Sequence, residues 1–565
     1  MTSPYDTYTS PLASRNASEA MLRLWSPRHK FNTWRRIWLA VAEAMHEVTK
    51  DGRTGSGESA RELVTREQVE ELRAVVERKN PDGTVGITDD EIRLAEKYER
   101  ELRHDVMAHV HALGDACPKA RPIIHLGMTS QDVVCNADFV VLYQAIDLIR
   151  IKVARLISSL GAQAERHVRT PSLGFTHYQP AQPVTIGRRA AMWATDSRMA
   201  LERLDGLHPY HGVLVGSLFG ILRPRGFRGA TGTQASFLAL MNDHKRVEAF
   251  ERAAIERAVE SLLPSFSRNV VVPPGEDAQY PAGISEPSAR VPADDGYTGA
   301  EVRFDLSMIT GQTYPRVIDC FILSDLAAVA AVLHKIATDI RLLCNRKELD
   351  EPFEDKQIGS SAMPYKRNPM RCERICGLTR FVMNLLGNAY DTAATQWLER
   401  TLDDSSNRRL SLPEAFLALD GALDLMHNVA SGLIVHEAMV RKNLMAELPF
   451  LATENILMEC VKRGGDRQDH HERIRQHAQA AGWRVKHDGL DNDLLERLKN
   501  DKAFWSKARG GPLTAEIDWN DLMDPMKYVG RSVEQTERFI ADVVEPLREQ
   551  YGEAIANLDE SVPKV

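Results

Sequence analysis

The chain has 565 residues, of which 43% are hydrophobic and 27% charged, and its formal net charge is −8 at pH 7. Such a composition is typical of a folded globular protein, and the length allows about two to four domains. The negative charge disfavours wholesale binding of nucleic acid or of an anionic membrane, so a phosphate-bearing partner must be met by local clusters of basic side chains.

The seven cysteines are scattered and form no CxxC pair, which argues against a disulfide framework and a structural zinc site. The opening MTSPYDTYTSPLASR has no charged segment followed by an apolar one. The longest apolar stretch, residues 326–333, is too short to cross a bilayer. We therefore expect a cytoplasmic protein that does not enter a membrane.

The predicted secondary structure is almost entirely helical. Apolar residues recur at helical spacing behind Ser26 and Pro27, a cap residue followed by a proline at the first helical position. Thr88 and Glu91 have the spacing of a capping box before a second long run that ends near Gly114. Further helices are predicted at about 132–167, 185–205, 235–262, 316–345 and 369–391. Alternating strand patterns are nearly absent, so the predicted class is all-α, with long antiparallel helices.

Two features of this pattern bear on the architecture. The helix at 132–167 is far longer than usual, which is typical of a bundle, and an apolar stripe of that length usually needs more than one neighbour. Between about 264 and 299, prolines, glycines and acidic residues replace the helical pattern, which we interpret as an irregular insert between two helices. A smaller polar excursion occupies residues 51–59.

The segment QIGSSAMPYKRNPMR, residues 357–371, fits no simple core or surface pattern, and we call it the serine loop. Its Gly-Ser-Ser opening supplies hydroxyls and exposed amides, and Asn368 and Pro369 mark a point where a helix can begin. Lys366 brings a positive charge near a serine hydroxyl, which can stabilise a serine oxyanion or hold a substrate carboxylate. The alternative is a basic surface loop, which such a long specified string disfavours.

Two further segments present polar side chains before predicted helices. SLGFTHYQPAQPVTIGRR places His177 just before a proline-punctuated helix start, where it can donate a proton near neutral pH. A lone histidine is nevertheless more often structural. IIHLGMTSQDV places Thr129 and Ser130 before the longest helix, where hydroxyls and N-terminal amides suit a carboxylate. Taken alone, an ordinary helix cap explains this pair better.

Two basic segments complete the candidates. ERTLDDSSNRR concentrates Arg400, Ser405 and Arg409, a combination that suits a phosphate monoester, although a solvated charged face has the same composition. RHDVMAHVH groups Arg103, His104 and Asp105 with two more histidines, but its spacing is not that of a zinc helix. The sequence contains no HExxH, Walker loop or G-x-S-x-G elbow.

Seven strings together resemble the fumarase/aspartase superfamily, whose members eliminate fumarate from succinyl adducts. They are GSSAMPYKRNPMR, GFTHYQPAQ, TGTQASF, TGQTYPR, ERTLDDSSNRR, LPFLATENI and GGDRQDHHE. Within the superfamily they are similar to the adenylosuccinate lyase family, over most of the chain outside the two excursions. The resemblance implies a fumarase/aspartase-like subunit of three helical domains, at 1–129, 130–435 and 436–565. It also implies a homotetramer whose active sites are each built from three chains.

The implied reaction is removal of fumarate from adenylosuccinate to give AMP, and likewise from succinylaminoimidazole-carboxamide ribotide, with no metal or organic cofactor. By the resemblance, Ser360 is the base, His177 the acid, and Lys366 and Asn368 hold the developing charge. Thr129, Ser130 and Gln234 are expected to grip the succinyl part, while Arg103, His104 and Asp105 line the site and His104 is a candidate to share the acid role. The expected contacts to phosphate and ribose are Arg15, Arg374, Arg400, Ser405 and Arg409, and Asn16 is expected among the substrate-binding residues.

The chain departs from the family pattern at Asn16, where relatives usually carry a tyrosine, and in its longer insert. Three other functions compete with the reaction above. A sister lyase acting on argininosuccinate, aspartate or malate is disfavoured by the arginines of ERTLDDSSNRR, since those substrates carry no phosphate. A catalytically silent helical scaffold is disfavoured by the presence of Ser360, His177 and Lys366 together. A metal-dependent hydrolase built on the histidine-rich segment is the third.

Overall fold

The computed structural model describes residues 6–52, 62–207, 221–263, 306–307, 309–354, 356–505 and 517–558. The predicted insert at 264–299 lies outside these residues, as does most of the polar excursion at 51–59. Helices dominate the described residues, which confirms the all-α prediction.

The helices up to the end of the central bundle are α1 (Glu19–Leu24), α2 (Pro27–Thr49), α3 (Arg66–Val76), α4 (Asp89–Leu102), α5 (Asp105–Ala116), α6 (Ser130–Arg166), α7 (Ile186–Leu207), α8 (Ala235–Met241), α9 (His244–Leu262), α10 (Val317–Asn345), α11 (Met370–Ala394) and α12 (Asp403–Ser431). Those that follow are α13 (Glu437–Leu451), α14 (Thr453–Lys462), α15 (Arg467–His487), α16 (Leu494–Asn500), α17 (Lys502–Trp505), α18 (Trp519–Leu522), α19 (Ser532–Phe539) and α20 (Glu545–Ala556). Short π-helical turns occupy Leu12–Asn16 and Ile540–Val544.

The five helices α6, α7, α10, α11 and α12 pack against one another as the central bundle. Besides its apolar core, the bundle has a buried ionic contact between α6 and α12. Lys152 donates to Asp424 at 2.8 Å and also to Asp420, while Arg155 donates to Asp424 at 2.7 Å. Asp420 accepts the backbone N–H of Ser18 at 2.6 Å as well, so this cluster ties the N-terminal segment to the bundle.

A second, smaller hydrophobic core lies within residues 452–522 and includes Ile456, Leu494 and Phe504. The larger core extends from Leu12 to Tyr551 and takes in the bundle and the helices that precede it. The division into three domains at 129 and 435 stays a prediction.

Two predicted helices are each divided in two. The run from Thr88 towards Gly114 breaks at Arg103, whose backbone is left-handed with φ 54°, and His104 then caps the new helix α5. The run at 235–262 breaks at Asn242, with φ 49°. The carboxylate of Asp243 caps α9 by accepting the N–H of Lys245 at 2.8 Å. At both points a polar side chain caps a new helix, so the helix is interrupted although the helical spacing of apolar residues continues.

The predicted helix at about 185–205 is confirmed as α7, but the prolines that precede it lie in a hairpin that the sequence did not predict. Strands β1 (Pro171–Thr176) and β2 (Gln179–Thr185) form an antiparallel hairpin there, and helix α7 begins only at Ile186. Among the described residues β2 pairs only with β1, so a proline in β2 removes no donor that a second neighbouring strand needs. Strands β3 (Leu349–Asp350) and β4 (Ile434–Val435) form the other pair, also antiparallel.

Helix α10 extends the apolar stretch 326–333 to a length and composition that could cross a bilayer. In the structure it packs inside the bundle, and 56% of its most apolar window is buried. It also carries Asp319 and Asp325, whose carboxylates pair with Arg408 and Arg203. Buried core helices of other proteins can be equally long and apolar, so this helix is weak evidence for a membrane-spanning segment.

Candidate active site

An open cleft of about 900 Å³ lies where the N-terminal ends of α5, α6 and α12 meet. The sequence predictions fall together here. Eight predicted site residues line the cleft, namely Arg103, His104, Asp105, Thr129, Ser130, Arg400, Ser405 and Arg409. The break at Arg103 makes this possible, because it turns the chain and leaves His104 at the start of α5.

The His104 ring connects the two helix starts. Its Nδ1 accepts the backbone N–H of Met107 at 3.4 Å, and its Nε2 lies 3.3 Å from Ser130 Oγ. With Nδ1 acting as an acceptor, the neutral ring carries its proton on Nε2 and presents it to the Ser130 hydroxyl. Thr129 caps α6 in a reciprocal box, where its backbone N–H donates to Asp132 at 2.7 Å.

Charged side chains also line the cleft. Arg409 donates to Asp105 at 2.6 Å. Burial opposes ionisation of Asp105, but the Arg409 guanidinium and the N–H of Val106 outweigh it and lower the pKa of that carboxyl. Arg400 reaches Gln312 at 3.4 Å and Asp404 at 3.3 Å. Burial lowers the pKa of Arg400, although its guanidinium remains charged.

His177 lies at the exposed tip of the β1–β2 hairpin. Thr176 pairs with Gln179, so His177 and Tyr178 form a two-residue turn, with φ of 54° and 57°. Left-handed backbone at both central positions defines a type I′ turn, which usually contains Asn-Gly. The Tyr178 hydroxyl donates to the carbonyl of Leu342 at 3.3 Å and holds the tip against α10. The histidine is therefore exposed on a fixed support.

The serine loop holds Ser360 in a nest of backbone amides. Ser360 Oγ accepts the N–H of Met363 at 3.2 Å and that of Ala362 at 3.4 Å. Asn368 Nδ2 donates to the carbonyl of Gly359 at 2.8 Å, which ties the two ends of the loop together. Donors directed at a hydroxyl oxygen stabilise negative charge on it, as a serine base requires.

The helix that follows the serine loop is anchored by Glu351. Its buried carboxylate accepts the N–H of Arg371 at 3.0 Å and that of Cys372 at 2.6 Å. Arg374 lies in the first turn of α11, where burial and then the positive charge of Arg15 lower its pKa. An anion bound near both residues would relieve this repulsion between their positive charges.

Asn16 and Gln234 do not line the cleft. Asn16 Nδ2 turns back to the carbonyl of Pro11 at 2.8 Å. Gln234 has left-handed backbone, with φ 59°, and donates to the carbonyl of Phe227 at 3.2 Å. It begins α8, which packs on Gly127, two residues before Thr129.

The remaining catalytic candidates lie at the other end of the bundle from the cleft. Helix α6 has 37 residues and is therefore about 55 Å long. The cleft lies at its first residue, Ser130, while the hairpin of His177 follows its last, Arg166. The serine loop lies between β3, which pairs with the strand after the end of α12, and the start of α11. Within one chain, neither His177 nor Ser360 reaches His104.

Comparison with known proteins identifies the family. The family model described as Adenylosuccinate lyase C-terminus matches residues 449–539, and the model described as Lyase matches residues 17–220 and 315–384. The adenylosuccinate lyase of Saccharomyces cerevisiae is 42% identical over 95% of this chain and 94% of its own length. That of Schistosoma mansoni is 38% identical over 98% of both. The chain belongs to the adenylosuccinate lyase family.

Solved structures of more distant proteins have the same fold. The 3-carboxy-cis,cis-muconate lactonizing enzyme of Pseudomonas putida has a TM-score of 0.68 at 22% identity, covering 96% of this chain and 99% of its own. A fumarate lyase from a Mesorhizobium species has a TM-score of 0.66 at 20% identity, covering 95% and 99%. These likenesses confirm the fumarase/aspartase-like fold, and family membership makes the chain a lyase, as predicted.

Several residues at or beside the cleft of this adenylosuccinate lyase family member were not identified from the sequence. Gln312 lines it, and Arg316 and Lys30 line a smaller cavity beside it. Gln312 and Arg316 belong to the string TGQTYPR, which contributed to the resemblance without a role being assigned to it. Lys30 lies in a helix whose apolar period was noted, but a lysine between apolar residues gives no signal of its own.

Proposed function

We propose that this chain removes fumarate from adenylosuccinate to give AMP, and from succinylaminoimidazole-carboxamide ribotide, in purine nucleotide biosynthesis. The observation that carries the proposal is the cleft in which His104 and Ser130 face Arg400, Ser405 and Arg409. Hydroxyls at a helix start suit the succinyl carboxylates, and arginines beside a serine suit a phosphate monoester. The substrates of the sister lyases have no phosphate to match this wall.

In the proposed mechanism, Ser360 removes the proton from the carbon next to a carboxylate. The amides of Ala362 and Met363 stabilise the charge on its oxygen before the transfer. The electrons pass into that carboxylate as an aci-carboxylate dianion, which Lys366 and Asn368 hold. The dianion then expels the purine amine while His177 protonates the departing nitrogen, so the C–N bond breaks and fumarate forms.

The assembly that this mechanism needs is a homotetramer with shared sites. The cleft lies at one end of α6, whereas Ser360 and His177 lie towards the other end of the bundle in the same chain. Since α6 is about 55 Å long, neither side chain reaches the cleft of its own chain. Other copies of the chain must therefore supply them, and three chains meet at each site. In this proposal Arg15 and Arg374, whose charges act on each other, are brought to the nucleotide by one of those copies.

The proposed function includes two further points, which are the absence of a cofactor and the cellular location. The reaction needs neither metal nor organic cofactor, since a base, an acid and fixed positive charges supply each step. Turnover that is unchanged by a chelator is the expected result, and it would remove the hydrolase alternative. We also propose a cytoplasmic location, which fluorescence of a tagged chain in cells would test.

The direct test is turnover by purified protein without added metal. We expect AMP and fumarate to appear at equal rates from adenylosuccinate. Ser360→Ala and His177→Ala should each lower kcat by about a thousandfold or more, because each removes a group that transfers a proton. An unchanged sedimentation coefficient would show that assembly is intact. A folded Ser360→Ala protein with near wild-type turnover would contradict the base assignment, and an inactive wild-type protein would contradict the reaction itself.

A further inference from the structure

A second cavity of about 300 Å³ adjoins the cleft, and we call it the inner chamber. Both cavities are lined by Gln131, Val134, Arg400, Ser405 and Arg409, so these residues form their common wall. The chamber is lined by five cations, which are Lys30, Arg316, Arg400, Arg408 and Arg409, and by two carboxylates, Asp138 and Asp404. Such an excess of positive charge in a confined space favours a multiply charged anion.

Four of the five cations already have carboxylate partners. Arg316 and Arg400 pair with Asp404, Arg408 pairs with Asp319, and Arg409 pairs with Asp105. Each of these guanidinium groups is thereby held in place. The carboxylates thus offset the charges of four cations within the protein. The fifth cation is Lys30.

Lys30 is the exception. In the described part of the chain no carboxylate oxygen lies within 4.0 Å of its ammonium, which instead lies 4.8 Å from the ring centroid of Trp34 and 5.4 Å from that of Phe31. Burial, and then the charge of Arg409, lower the pKa of Lys30, while Asp105 and Asp138 oppose the change more weakly. A half-buried ammonium held by aromatic faces and repelled by a guanidinium would be stabilised by an incoming anion.

Two more donors on the same chamber lack partners among the described residues. They are Nε1 of Trp25 and Nη1 of Arg316, both buried. The Arg316 side chain is about 2% exposed, so water does not readily replace a missing acceptor. The chamber therefore combines an unpaired ammonium with donors that await an acceptor, and Ser405 adds a hydroxyl.

We propose that Lys30 binds the phosphate of the nucleotide substrate in the inner chamber, next to Arg409 and Ser405. The proposal rests on the proposed function, since it names a further contact of that substrate. A phosphate monoester carries close to two negative charges at neutral pH, and Lys30 offers it a positive charge that no carboxylate among the described residues pairs within 4.0 Å. A succinyl carboxylate is the other anion of the substrate, and the experiment below distinguishes the two.

The test compares Lys30→Met and Lys30→Arg with wild type on two substrates, adenylosuccinate and its dephosphorylated nucleoside. For adenylosuccinate, Lys30→Met should raise KM about tenfold or more with little change in kcat, since it loses a charged contact to a non-reacting part of the substrate. For the nucleoside the change should stay within about twofold, because the phosphate is already absent. Lys30→Arg should recover most of the loss.

Lys462→Met is the matched control, because Lys462 is an exposed lysine paired with Glu459, and it should behave as wild type on both substrates. Equal losses of kcat/KM on the two substrates would overturn the phosphate assignment, whether the cause is a packing defect or a contact to the succinyl group. An unchanged KM would overturn it as well.

Calorimetric binding of AMP keeps this proposal separate from the reaction. If wild type binds AMP but does not turn over adenylosuccinate, the proposed reaction fails, while AMP binding about tenfold weaker in Lys30→Met would still support the phosphate contact. AMP binding that is equal in wild type and Lys30→Met would overturn the contact even if the enzyme is active.

Discussion

At the residue scale, several predicted site residues adopt strained backbone conformations. Arg103, His177 and Gln234 are non-glycine residues with φ between 54° and 59°. Such conformations cost about 1–3 kcal/mol each and persist where the surrounding structure enforces them. Here each one marks a sharp change of direction that presents a side chain, namely the start of α5, the hairpin tip and the start of α8.

The buried His109 leads to a prediction about pH. Its ring stacks on Phe31 at 3.7 Å, and burial, followed by the charges of Arg35 and Lys30, lowers its pKa to about 3. Protonation therefore favours the unfolded chain, so the stability that this group contributes is complete above pH 6.5 and is lost as the pH falls towards 3. Between pH 7.5 and 5 the free energy of unfolding of wild type should fall by about 2 kcal/mol more than that of His109→Phe.

Urea unfolding at a fixed chain concentration measures this difference. The comparison uses the slope with pH, so a packing change introduced by phenylalanine does not affect it. Parallel pH profiles for the two proteins would mean that His109 is not held neutral in the folded state.

Some residues at the cleft could be identified from the sequence, and others could not. The strings around His104 and Ser130 identified both residues, and the structure places their side chains 3.3 Å apart. The proposed role of Lys30 could not be found this way, because it depends on there being no carboxylate oxygen within 4.0 Å of its ammonium among the described residues. That arrangement is set by how α2 packs against its neighbouring helices.

At the element scale, the serine loop depends on a close approach of its own backbone. A Cβ at Gly359 would lie 2.2 Å from the carbonyl oxygen of Lys366, so no other residue fits there without opening the loop. The amide of Asn368 bonds to the carbonyl of the same glycine. The position of Ser360 is therefore set by the contact between the two ends of the loop.

Gly359→Ala should lower kcat by about a hundredfold or more while leaving the melting temperature within about two degrees of wild type, because a misplaced base slows catalysis and an exposed loop adds little to stability. Gly482→Ala is the control, since a Cβ there meets nothing within 4 Å and alanine favours the helix. Activity of Gly359→Ala at the level of this control would contradict the account of the loop.

The elements show where sequence reasoning succeeds and where it fails. The long helices α6, α10 and α11 were predicted to within about three residues because their apolar periods are strong. The hairpin of His177 was not predicted, because its strands contain prolines. In addition, Gly174 lies so close to the carbonyl of Gln182 that a Cβ would not fit there. Its pairing is set by tertiary contacts that a local pattern does not carry.

At the scale of the whole molecule, the residues predicted to form one site lie apart within a single chain. The cleft with His104 lies at the first residue of α6, and the serine loop lies towards the other end of the bundle. The sequence predicted shared sites only through a family resemblance. The length of α6 supports the proposal of shared sites, because about 55 Å separates its ends.

Complementation between inactive variants tests this central claim most directly. Ser360→Ala and His104→Ala, each expected to be nearly inactive alone, are unfolded together in equal amounts and refolded into mixed oligomers. If each site draws the two residues from different chains at random, about a quarter of wild-type activity should return. Ser360→Ala mixed with Lys366→Ala, which alters the same loop, should recover none. No recovery in oligomers shown by mass spectrometry to contain both chains would contradict the account.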